Sequence, residues 1–286
     1  MALRQWSSEI YTAEFRELQA STFCCNRDGR LGLLAGRRSL ALLLMEQPNE
    51  LVKKSSRSSR WEVGAGQWNP SQQYGNYIAL CCNDKVELFQ WDNSDFVVED
   101  PIRGHTRQVS DLHWNSKEPP LLASSSSDGN IHVWDIREPR KPVQSFQTIV
   151  GASHVRWSRS DCSYIASAHD GDVKLWDARN DSAPLTYLSA HLSRVHSIDW
   201  SYAEPHSLVT ASNDCTVKFH SVTGKVVETL PSCLSTSVPV WRARFTPFGD
   251  GMVTVLVPHF GAHEHSLFLW NTKNLTTPVH TFVGHR

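Results

Sequence analysis

A chain of 286 residues is long enough to bury a substantial core, and its 28 basic and 29 acidic residues nearly cancel, which disfavours a strongly basic nucleic-acid binder. The longest apolar run, Leu40 to Met45, is too short to cross a bilayer. Glu9 and Glu14 interrupt a start with no apolar h-region, and seven Cys, two pairs of them adjacent, form no disulfide framework, so a reducing, cytosolic setting is expected.

Alternating short strands bounded by Gly, Asn, Asp and Pro turns run the length of the chain. The first unit, residues 15–46, is carried by FRELQASTFCC and RLGLLAGRRSLALLLM. KKSSRSSR, residues 53–60, follows and reads as a solvated loop joining two units, with phosphorylation or contact with acidic lipid or an acidic partner as its functional alternatives. Residues 61–92 hold the second unit, with Phe89 where a Trp is expected. The third, 104–136, runs from Gly104-His105 through VSDLHW and LLASSSSDG to IHVWD. ASHVRW, YIASAHDG and VKLWD make the fourth, 150–178. Ala190-His191, VHSIDW, LVTASND and VKFHS make the fifth, 190–222, and residues 239–271 hold the sixth. FVGHR, residues 282–286, opens one more.

Trp114, Trp157 and Trp200 lie 43 residues apart. A second series, Trp134, Trp176 and His220, has spacings of 42 and 44. A period near 40–45 residues with four strands and a Gly-His to Trp-Asp signature is the pattern of an all-β WD40 propeller. Six blades are recognisable, and the expected architecture is a seven-bladed ring with its last blade truncated by about one repeat, the alternative being a ring closed with six blades, the N-terminal strand adding to the sixth. Residues 5–15 would then be the outer strand of that incomplete blade.

The polar residues of the repeat are expected to form a hydrogen-bonded chain within each blade, because a buried polar group left unpaired costs about 1–3 kcal/mol. The best set is His105, Ser124 or Ser126, Asp128 and Trp134, and the same role falls to Asp170, Trp176, His191 and Asp214. This makes the His–Asp pairs structural rather than catalytic. VKFHS lacks the Trp at the end of the fifth unit and puts its chain in question. No Gly-X-Ser-X-Gly elbow, phosphate loop or Cys-X-X-Cys pair occurs, so no catalytic residue and no cofactor is expected. His259, His263 and His265 in PHFGAHEH are the one metal-like spacing, without a Cys to complete it, and read as a polar hairpin loop.

Several strings outside the shared signature carry a more specific likeness: WSSEIYTAEFRELQAS, RWEVGAGQWNP, GHTRQVSDLHW, AHDGDVKLWDARN, YLSAHLSRVHSIDW, VPVWRARFTPFGDGMVTV and NLTTPVHTFVGH. Together they resemble the N-terminal propeller of the WD repeat-containing protein fifty-nine family, subunits of the second GATOR subcomplex, called the SEA complex in fungi. The resemblance implies a non-enzymatic scaffold that contacts the other GATOR/SEA subunits and no nucleic acid. It also implies a place at the lysosomal or vacuolar membrane only through that complex, and promotion of amino-acid-dependent TOR complex 1 activation. The alternative is a substrate receptor of a cullin-type ubiquitin ligase, since Trp134-Asp135-Ile136-Arg137 and Trp176-Asp177-Ala178-Arg179 fit a Trp-Asp-X-Arg pattern. There Arg137 and Arg179 would pair with adaptor carboxylates.

Overall fold

In the computed structural model, residues 15, 17–180, 183–224, 226–257 and 267–282 are described. They form six antiparallel sheets, each a meander in chain order, and no helix occurs among them. The first sheet holds β1 (Ala20–Cys25), β2 (Leu31–Gly36), β3 (Ser39–Leu44) and β4 (Gln47–Ser56). The second holds β5 (Gly66–Trp68), β6 (Tyr77–Cys82), β7 (Lys85–Trp91) and β8 (Phe96–Val98), with β9 (Ile102–Arg103) also pairing β7. β10 (Val109–Trp114), β11 (Leu121–Ser126), β12 (Asn130–Asp135) and β13 (Gln144–Gln147) form the third. β14 (His154–Trp157), β15 (Tyr164–His169), β16 (Asp172–Asp177) and β17 (Thr186–Ser189) form the fourth. The fifth holds β18 (Val195–Trp200), β19 (Ser207–Ser212), β20 (Thr216–Thr223) and β21 (Val226–Ser235). The sixth holds β22 (Val240–Phe245), β23 (Gly251–Leu256), β24 (Leu267–Asn271) and β25 (His280–Phe282).

The sheets are the blades of a WD40-type β-propeller. The first strand of each is innermost, and these strands clasp one another across the blades. Trp114 N donates to Gln67 Oε1 at 3.3 Å, Trp157 N to His113 Nδ1 at 3.1 Å, and Phe245 N to Asp199 Oδ2 at 3.0 Å. Trp114 and Trp200 also donate their indole N–H to carbonyls of the preceding blade, Gln67 O and Arg156 O, each at 3.2 Å. Trp157 repeats the packing, but its Nε1 meets no acceptor among the described residues.

Blades with two buried faces must share cores with their neighbours. Five apolar clusters do this, each bridging consecutive blades. Leu33, Leu40, Ile78 and Trp91 join the first to the second; Leu88, Trp114 and Trp134 join the second to the third. Phe146 and Trp176 span the third and fourth, Leu175 and Trp200 the fourth and fifth, and Phe219 and Trp270 the fifth and sixth. Among the described residues no such cluster, and no hydrogen bond, joins the sixth blade to the first.

Two sequence expectations need adjusting. The units read from the repeat stop at the third strand, whereas every blade adds an outer strand beyond it, such as Gln144–Gln147 after IHVWD. KKSSRSSR is a loop only in its second half: Lys53 to Ser56 pair along β3 as the end of β4, opposite Leu42 to Ser39. Arg57 is buried, donating Nε to Glu87 Oε2 at 2.8 Å and Nη1 to Gly36 O and Trp61 O, each at 3.2 Å. It ties the edge of the first blade to the second. Removing one partner of such a buried pair costs about 3–5 kcal/mol, because the other charge is left stranded. Burial opposes the Glu87 charge, but hydrogen bonds from Lys85 and Arg57 outweigh it and hold the carboxyl below its usual range. Residues 5–14 and 283–286, which carry the expected seventh-blade elements, lie outside the described residues.

Candidate interaction surface

In the third blade the polar chain runs in one direction. Trp134 Nε1 donates to Ser124 Oγ at 2.9 Å, Ser124 Oγ lies 2.8 Å from His105 Nε2, and His105 Nδ1 lies 3.1 Å from Asp128 Oδ2. The indole can only donate, so Ser124 passes its own proton to Nε2, and Nδ1–H faces the carboxylate. Asp128 also accepts from Thr106 N and Asn130 N, each at 2.8 Å. Burial opposes its ionisation, yet these N–H groups and His105 hold the carboxyl below its usual range. Burial lowers the His105 pKa against the pull of Asp128. Ser124 is wholly buried, so this Ser-His-Asp set cannot meet a substrate.

The fifth blade builds the same chain without a Trp. His191 Nδ1 lies 2.9 Å from Asp214 Oδ2, and its Nε2 lies 2.7 Å from Thr210 Oγ1. His220 occupies the indole's place, fully buried, with Nε2 at 2.8 Å from Thr210 Oγ1 and Nδ1 at 3.1 Å from Thr229 Oγ1.

The fourth blade departs from expectation. Trp176 Nε1 donates to Ser167 Oγ at 2.8 Å, but the imidazole 2.7 Å from that hydroxyl belongs to His169, whose Nδ1 reaches Val150 O at 3.0 Å. The Asp170 side chain has no described part in the chain. YIASAHDG is one residue shorter than LLASSSSDG, so His169 pairs with Asp172 across a two-residue turn, and Asp170 sits at φ 52° within it. The equivalent turn of the third blade is longer, its last paired residues being Ser125 and Ile131, and leaves Asp128 free to turn inward. Gly129 makes this longer turn possible: its φ is +86°, and a Cβ there would meet Thr148 O at 2.5 Å. The missing His in the Gly151-Ala152 loop and the His beside Asp170 were the available sequence signals.

These chains pin the loops at the end of the propeller where the inner strands begin. Leu192, next to His191, is fully exposed, and its backbone N–H is held by Asp214 Oδ2 at 3.3 Å. Ile149, also fully exposed, stands between Thr148 and Val150, which are joined by a 2.7 Å bond from Thr148 Oγ1 to Val150 O. Trp241, at the start of β22, stacks on His196 at 4.7 Å with half its surface open. A rigid face studded with exposed apolar side chains is suited to protein contact.

At the opposite end, Arg137 and Arg179 are exposed but occupied. Arg137 Nε donates to Asp135 Oδ1 at 2.9 Å, and Arg179 grips Asp177 with Nε at 2.9 Å and Nη2 at 2.7 Å. No group of three His, Cys, Asp or Glu able to hold a metal occurs among the described residues. His259, His263 and His265 lie outside them.

Comparison with known proteins agrees with this architecture. The WD domain, G-beta repeat family matches residues 98–135, 141–177 and 182–221, which cover the third, fourth and fifth blades. The GATOR2 complex protein WDR59 of Homo sapiens is 44% identical over 287 aligned residues, covering the whole of this chain and 29% of the relative. Drosophila melanogaster Wdr59, also named a GATOR2 complex protein, is 39% identical over 95% of this chain and 28% of its own length. The Maintenance of telomere capping protein 5 of Saccharomyces cerevisiae is 30% identical over 91% of this chain and 23% of its own. The chain thus spans less than a third of the length of these relatives. Matched along all or nearly all of its own length, and carrying WD40 repeats, the chain is a WD40 propeller homologous to part of the WDR59 proteins.

Proposed function

We propose that this chain is a non-enzymatic scaffold subunit of a GATOR2/SEA-type assembly, binding the other subunits through its loop faces. In this reading it acts in the cytoplasm, peripherally at the lysosomal or vacuolar surface, and promotes amino-acid-dependent activation of TOR complex 1. The observation that carries the proposal is the 44% identity along the entire chain to proteins named as GATOR2 components. The buried hydroxyls of the Ser-His-Asp sets and the exposed apolar loop tips support scaffold over enzyme. Affinity purification from cells should recover the other GATOR2/SEA subunits; recovery of an unrelated assembly in their place would refute it. Leu192→Asp with Ile149→Asp should reduce that recovery severalfold while leaving the melting temperature within a degree or two, since neither side chain is buried.

The occupied guanidinium forks weigh against the ubiquitin-ligase receptor, because an adaptor carboxylate would first have to displace Asp135 and Asp177. Arg137→Ala with Arg179→Ala is expected to leave partner recovery unchanged.

The same reading includes a seven-bladed ring. Its support is the Gly284-His285 pair, which repeats the Gly104-His105 signature that opens the third unit. A form of the protein carrying one more repeat should melt higher and aggregate less; equal behaviour would favour a six-bladed ring.

A further inference from the structure

The six innermost strands carry few charges, and these meet at one place. β1 and β5 have none; β10 contributes Asp111, β14 Arg156, β18 Asp199, and β22 Arg242 and Arg244, with Arg159 just past the end of β14. Arg156 pairs with Asp111, and Arg159 Nη2 donates to Asp199 Oδ1 at 2.8 Å, while Arg244 Nη1 stands 3.7 Å from that same oxygen. Arg242 has no carboxylate; its guanidinium contacts His154 Nε2 and donates to His196 O at 3.1 Å. Four guanidinium groups therefore face two carboxylates.

The histidines do not alter that excess. Burial first, and then the neighbouring arginines, hold His113 and His154 far below the usual imidazole range. Burial also lowers His196. His113 Nδ1 accepts from Trp157 N, so the ring proton sits on Nε2. Burial, and then repulsion from Arg156, brings even Arg244 down to about 9.

Where the inner strands end, an open cavity of about 450 Å³ is walled by Gln67, His113, Arg156, Arg159, Tyr202 and Arg244, with Asp199 the one carboxylate among its lining residues. Its size falls in the range of small-molecule sites. The cations are held in place: Arg159 Nε donates to Trp200 O at 2.9 Å, and its guanidinium stacks on Tyr202 at 3.8 Å. Arg244 Nη1 donates to Ile198 O at 2.6 Å, and about a third of its side chain remains accessible from the channel. Arg156 Nη2, Arg159 Nη1 and Arg244 Nη2 make no described hydrogen bond to a protein acceptor.

We propose that this channel mouth binds a small soluble molecule bearing phosphate, held by Arg156, Arg159, Arg244 and the Nε2–H of His113. A phosphate ester carries close to two negative charges at neutral pH and offers three acceptor oxygens, one for each of the guanidinium groups of Arg156, Arg159 and Arg244. A single carboxylate offers only two oxygens to those three groups. The inference does not depend on which assembly the propeller joins.

Calorimetric titration of the purified chain with inorganic pyrophosphate at low salt tests it. One saturable site is expected, weakened at least tenfold by Arg244→Gln and unaffected by Arg137→Gln at the same end of the propeller. Glutarate and an acidic peptide should bind at least tenfold more weakly. Arg159→Gln, nearer the surface, serves as the second variant if Arg244→Gln lowers the melting temperature. Three results would overturn the proposal: no saturable binding, equal losses in the channel and rim variants, or an acidic peptide binding as tightly as pyrophosphate.

Discussion

The third and fifth blades perform the same task with different residues. In both, a His from the incoming loop is held between an Asp of the second turn and a buried hydroxyl, and that hydroxyl also bonds an aromatic ring nitrogen. The ring is the Trp134 indole, which donates, in one and the His220 imidazole in the other. In these two blades a flat, buried ring places a nitrogen at the hydroxyl, and Trp is one way to supply it. The imidazole adds a second bond, to Thr229, and a group that titrates. Trp134 instead contributes bulk to the core shared with the second blade.

Removing the ring should separate the two most sharply. Trp134→Ala is expected to cost about 3–5 kcal/mol, as a large cavity opens and Ser124 loses its donor. Chemical denaturation would measure it, and a loss below about 1 kcal/mol would show that the blades do not depend on this chain.

Acid tests the fifth blade's ring next. Burial holds His220 down to about 3, whereas the unfolded chain protonates it near 6.5. Between those values the unfolded state binds more protons, so stability is full above pH 6.5 and falls as the pH drops toward 3. At pH 5 the loss from His220 is about 2 kcal/mol. Burial likewise brings His132 and His169 down to about 4, so they add to the same acid slope. Replacing His220 with Phe should flatten the dependence of the melting temperature on pH between 6.5 and 5, at some cost in stability at neutral pH. An unchanged slope would place the acid sensitivity elsewhere.

The smallest effect tests the fourth blade against the third. Asp128→Ala strands His105 and the Thr106 and Asn130 N–H groups and should cost about 1–3 kcal/mol. Asp170→Ala, in a turn whose chain runs through His169, should stay within about 0.5 kcal/mol, apart from any strain at its positive φ. Equal losses would return Asp170 to the network.

Much of this was legible in the chain itself. The spacing of Trp114, Trp157 and Trp200 located three inner strands, and IHVWD and VKLWD located two indole donors. In the structure His105 lies beside Asp128 and His191 beside Asp214. Repeats are readable because each blade meets its neighbours in nearly the same way, so the same residue types recur at a fixed period. Where the period slips by one residue, as before Asp170, the pattern still matches while the geometry changes.

Only the tertiary structure could decide what happens between blades. Arg57 looked like part of a solvated basic run until the fold brought Glu87 beside it, 30 residues on in the chain. The channel arginines meet their partners across 40 or more residues, Arg156 with Asp111 and Arg159 with Asp199, and Arg242 reaches His154 across 88. No local pattern encodes those meetings, because they depend on the angle between successive sheets and on which side chains share the axis. The repeat determined that there would be inner strands; their packing around a common channel decided that four arginines would face one another there.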